Sequence, residues 1–197
     1  KIGKVDLPAP DIFFGNDKME VTDTDIYKSD QAFTQGQMIT VTGIDNLNEW
    51  WIDPDFFEKQ SDGALKFLPI NGDYRVTANA VLKYFSVMAL KDGKPAKLQD
   101  DGTGAIWAIG KGIGKPSVTS SEVGWEPSKA LCLAQVASKK YQLTLKAGET
   151  LKTSGDPEVI SFKFFHQNDW GGEFGNYASS ILVEQLKLAD SGNLEMQ

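Results

Sequence analysis

The sequence predicts an all-β protein built from two tandem immunoglobulin-like or starch-binding-type β-sandwich modules. Three observations predict it. Short runs alternating apolar and polar residues recur along the chain, clusters of turn residues separate them, and no stretch holds a helical period for three turns. The 197 residues are enough for two domains of ordinary size.

In chain order, residues 1–36 read as an N-terminal extension and first strand region, and residues 37–97 as a diverged first module. Its runs are "MITVTGI", "LKFLPI", "YRVTA" and "LKYFSVMAL", with "WWIDPDFFEKQ" as a short helix or a turn. The segment "LKDGKPAKLQDDGTG", residues 90–104, accumulates Gly, Pro and charge while periodicity lapses, which marks the join. Residues 103–197 form the second module, with runs "AIWAIG", "KYQLTLKAG" and "ISFKFFH". Its last run, in "LKLADSGNLEMQ", reads as a strand cut short.

Four pieces align in order across the join: "ITVTG" with "IWAIG", "EWWIDPDFF" with "VGWEPSKAL", "GDYRVTANA" with "KKYQLTLKAG", and "LKYFSV" with "ISFKFF". An internal repeat is therefore expected.

Composition narrows the function. A net charge of −7 without a Lys/Arg cluster argues against nucleic acid. The only cysteine, Cys132 in "ALCLAQV", permits no internal disulfide and reads as a small buried hydrophobe. The only histidine, His166, cannot support multi-His metal catalysis. No cofactor is expected. "GKGIGKPS" lacks the ending of a phosphate loop, and "QDDGTG" reads as a linker turn, with Ca²⁺ at Asp100–Asp101 as the alternative. No apolar run approaches a membrane-spanning length. The acidic pairs Asp53/Asp55 and Asp169/Glu173 carry no supporting constellation for glycoside hydrolysis, so no catalytic residue is assigned.

The second module, through "IWAIGKGIGKP", "EVGWEPSKALCLAQV", "KKYQLTLKAGETLK" and "ISFKFFHQNDWGGEFG", resembles the modules of SusE/SusF-type outer-membrane carbohydrate-binding lipoproteins of Bacteroidetes. The likeness covers residues 105–176 well, residues 37–90 loosely and residues 1–36 hardly at all. It implies a non-enzymatic cell-surface protein of a polysaccharide utilisation system that binds a neutral oligo- or polysaccharide. The expected partners are that glycan and other outer-membrane uptake proteins. The resemblance also implies a lipid anchor on an N-terminal Cys, expected upstream of Lys1 together with a signal peptide.

Sugar rings are held by flat apolar platforms flanked by planar polar groups. Trp125 and Trp170, both in Gly-bearing loops, are the candidate platform, or else lids on the core. Lys163, Gln167, Asn168, Asp169 and Glu173 are the candidate polar partners. Strand alternation places Ile160, Phe162 and Phe164 on a core face, and Ser161, Lys163 and Phe165 on an outer face leading to Trp170. Trp50 and Trp51, with Asn48 and Asp53, make a possible second site, since adjacent strand residues face opposite ways. Two other classes stay open: a structural or protein-interaction domain, and an accessory domain of a glycoside hydrolase.

Overall fold

The computed structural model describes residues 8–174, 186–188 and 193–196. The first module carries β1 (Phe13–Phe14), β2 (Asp17–Lys18), β3 (Glu20–Asp23), β4 (Ile26–Phe33), β5 (Met38–Ile39), β6 (Val41–Thr42), β7 (Phe57–Lys59), β8 (Leu65–Phe67), β9 (Gly72–Asn79), β10 (Tyr84–Lys91) and β11 (Lys94–Pro95). Its main sheet is antiparallel, in the order β11-β10-β9-β4-β3, and it is opposed by β2-β1-β6 and β5-β8-β7. Between them lies an aromatic core in which Phe14 packs on Phe33, Phe57 and Phe85, and Phe67 on Phe33 and Tyr74. Alternation is clean in β9, which buries Tyr74, Val76 and Ala78.

The second module carries β12 (Trp107–Gly114), a single helical turn α1 (Val118–Ser121), β13 (Glu122–Gly124), β14 (Leu131–Cys132), β15 (Ala134–Ala137), β16 (Lys140–Gln142), β17 (Ser161–Phe165), β18 (Leu186–Leu188) and β19 (Leu194–Met196). Its sheet runs β13-β12-β17-β19-β18, with β14 also on β12 and β15-β16 as a separate hairpin. The protein is thus all-β, in two tandem sandwich modules, as the alternating runs predict. Among the described residues no sheet mixes strands of 38–90 with strands of 105–176. Gln197, where the last run stops, and residues 1–7 lie outside the described residues.

Two expectations change. Residues 13–33, read as lying ahead of the first module, supply β1 to β4, and β4 pairs along its whole length with β9. The internal repeat does not carry into structure. "GDYRVTANA" forms the centre of a sheet, whereas "KKYQLTLKAG" contributes only the three-residue β16, because short alternating runs say which residues share a face and not which strands pair. Of the two alternatives for the "WWIDPDFF" stretch the structure shows the turn, its Asp53 carbonyl accepting from the N–H groups of Phe56 and Phe57.

The modules are docked rather than strung apart. Strand β10 turns Phe85 and Val87 into the first core, while Met88 on its other face packs against the second. Ala134 and Val136 of β15 reach back into the first core. Ile70 donates its N–H to Gln135 across the junction, and Trp107 Nε1 donates to the carbonyl of Ala96 in the joining segment. Within that segment the Asp101 carboxylate accepts from the backbone and hydroxyl of Thr103, closing the turn.

Candidate functional site

The site grows out of the end of β17. Phe165 bridges Glu173, and the His166 N–H donates to the Gly172 carbonyl at 2.7 Å, so residues 166–172 form a closed loop. Gly171 and Gly172 hold φ of 80° and 67°, a region costly for other residues, which explains the paired glycines. Asp169 Oδ1 accepts from the Trp170 N–H at 2.7 Å, and Gln167 Nε2 donates to the Trp170 carbonyl at 2.6 Å. The polar side chains of the loop therefore fix the backbone that carries the indole.

Trp170 is 50% exposed. Leaving half of so large a side chain in water forgoes roughly 2–3 kcal/mol of burial. Its ring meets Phe165 edge-on at 5.9 Å and lies near-parallel to Trp125, with centroids 6.3 Å apart and planes 25° apart. Trp125 follows Gly124, which pairs with Gly110 of β12, and is half-buried against the second core. The two indoles are thus brought together from separate loops.

Around them, Gln167 Oε1, Asp169 Oδ2 and the exposed Glu173 carboxylate make no hydrogen bond to a described residue, leaving acceptors beside the rings. Asn168 Oδ1 is the one buried side-chain polar atom among the described residues with no partner. Lys163 is half-buried opposite Ile109 and makes no cation–π contact with either indole.

The expected faces of β17 are corrected. Phe165, placed on the outer face, is 2% exposed, and Ser161 is also buried. Phe165 packs in the second core with its ring edge-on to Trp170, so it backs that indole and is itself closed to a ligand.

The second expected site is also corrected. Trp50 is buried and stacks on Phe85 at 4.5 Å. Trp51, facing the other way, donates from Nε1 to Glu149 of the second module at 3.1 Å and meets Tyr84 edge-on. The Asn48 side-chain oxygen Oδ1 accepts from Lys59 Nζ. Asp53 is 2% exposed, because it belongs to a buried ion cluster at the junction. Lys115 Nζ donates to both Asp53 oxygens, at 2.9 and 2.8 Å, and to Asp55 Oδ2 at 2.8 Å. Asp55 also accepts from Gln142, from the Thr144 N–H and from the Thr144 hydroxyl. Burial pushes the Asp53 carboxyl above its usual range despite Lys115, whereas at Asp55 Lys115 and Thr144 outweigh burial and hold the carboxyl below it. Sequence reasoning missed Lys115, which stands some sixty positions from its partners with no local signal of the pairing.

Among the described residues no group of three or more His, Cys, Asp or Glu is placed to hold a metal ion. No described helix is long and apolar enough to cross a membrane. No curated protein and no solved structure matches the chain. Residues 6–98 match a family model described as a domain of unknown function, DUF5125, and residues 101–197 match a different one, DUF5121.

Proposed function

We propose that this chain is a non-catalytic glycan-binding protein of the cell surface, whose second module holds a neutral oligo- or polysaccharide by stacking on Trp170 and Trp125. The single observation that carries this is the half-exposed Trp170, held out by hydrogen bonds of its own loop and aligned with a second indole. Flat apolar faces of that kind suit the CH faces of pyranose rings, and Gln167, Asp169 and Glu173 supply acceptors for hydroxyls at the rim. The resemblance to SusE/SusF-type lipoproteins supports the same use, and with it an outer-membrane lipid anchor and a place in a polysaccharide utilisation system.

The test is calorimetry with oligosaccharides chosen from a glycan array on the full chain. By analogy with aromatic stacking on flat ligands, Trp170→Ala is expected to weaken binding roughly 5- to 150-fold while leaving thermal stability unchanged. Unaltered affinity, or a module that no longer folds, would assign the indole to packing. Purified protein is expected to release no reducing sugar from a glycan it binds.

A further inference from the structure

A cavity of about 210 Å³ lies between the modules, apart from the Trp170 loop. The first module lines it from β9, β10 and the Asp53 turn, and the second from Trp107, Lys115 and β14. Its walls are largely apolar, with Phe56, Trp107 and Leu131 among them. Two polar groups in this lining keep unused capacity. Tyr84 is 8% exposed as a residue, and its hydroxyl, which is not itself sealed from solvent, makes no hydrogen bond to any described residue. Asp53 Oδ2 accepts from Lys115 alone, while Oδ1 takes both Lys115 and the Asp55 N–H.

The charge balance selects the occupant. Lys115 directs its ammonium at three carboxylate oxygens, and two carboxylates outnumber the one ammonium, so an anion would meet repulsion there. A neutral group that donates to Asp53 and exchanges a bond with Tyr84 satisfies both. The apolar walls require the remainder to be a ring or chain with CH faces. The volume is below the ~300–1,000 Å³ of pockets for drug-sized ligands, which limits the occupant to one ring.

We propose that the cleft between the modules is a second ligand site, for a single neutral polyhydroxylated ring of pyranose size held by Tyr84 and Asp53. It differs from the second site expected from sequence, since Trp50 and Asn48 take no part. It rests on the cleft alone and not on the Trp170 loop.

The probes are the methyl pyranosides of glucose, galactose, mannose and xylose, with choline as a cationic control. Each is titrated into the full chain up to about 10 mM, followed by saturation-transfer NMR, amide shifts and calorimetry, so that millimolar affinities are visible. At least one glycoside is expected to bind and to move the amides of Tyr84, Ser86 and Leu131. Tyr84→Phe, which keeps the ring, should weaken it about three- to tenfold, and in Trp170→Ala the glycoside should still move the same three amides at the same concentrations. The amide map answers the question in the wild-type chain even if Tyr84→Phe proves unstable. The proposal is overturned if no glycoside binds, if only choline binds, if Tyr84→Phe binds equally well, or if Trp170→Ala abolishes the signal.

Discussion

Single residues at this site act through which neighbours they are given. Phe165 and Trp170 are both large aromatics five positions apart, yet one is sealed beneath the sheet and the other stands half in water, edge to face with it. Cys132 shows the same dependence. It is 7% exposed, with its thiol directed at the Leu133 carbonyl, and burial pushes the thiol up to about 12. At pH 8 only about one molecule in ten thousand would then carry the reactive thiolate. Native protein is therefore expected to resist iodoacetamide at pH 8 and to react promptly in denaturant, with mass spectrometry as the readout. Rapid native alkylation would show that the junction opens.

Strand β12 organises the second module because its glycines let three neighbours approach. A Cβ on Gly110 would lie 2.3 Å from the Cα of Phe162, and φ there is +152°, so both space and conformation demand glycine. Gly124, its partner across the sheet, has φ of +58° but open space around its Cβ position. Gly110→Ala is expected to cost about 2–4 kcal/mol in chemical denaturation, against about 1–2 kcal/mol for Gly124→Ala. Equal costs would mean that β17 yields easily, and Trp170 would then not be held on a rigid base.

At the scale of the whole molecule, the buried Lys115–Asp53–Asp55 cluster ties the modules together. Lys115→Met would leave two carboxylates buried without a cation, and a loss of about 3–5 kcal/mol is expected. The pH dependence separates this from a mere packing defect. In the wild type, Asp55 has a depressed folded value, so its contribution is present above the unfolded value of about 3.9 and is lost as pH falls through the folded one. Asp53, with a raised value, opposes that loss: protonation in the folded state favours folding as pH falls. In Lys115→Met both carboxyls lack their cation and burial raises both. The deficit relative to wild type should therefore shrink as pH is lowered from 7 towards 5 in denaturant titrations. A deficit independent of pH would show that the cluster's charges do not matter.

The sequence by itself determined the all-β class, the two modules and the turn that carries Trp170, because alternation and glycine placement are local properties of the backbone. It determined equally that one of Trp50 and Trp51 must face away from the other. Only the tertiary structure decided that Phe165 is covered, since a period of two names the faces of a strand but not what lies against each. It alone brought Trp125 beside Trp170, and it joined Lys115 to two aspartates some sixty positions away. Those pairings depend on which strands meet and how the modules dock, and no residue near any of them in sequence carries that information.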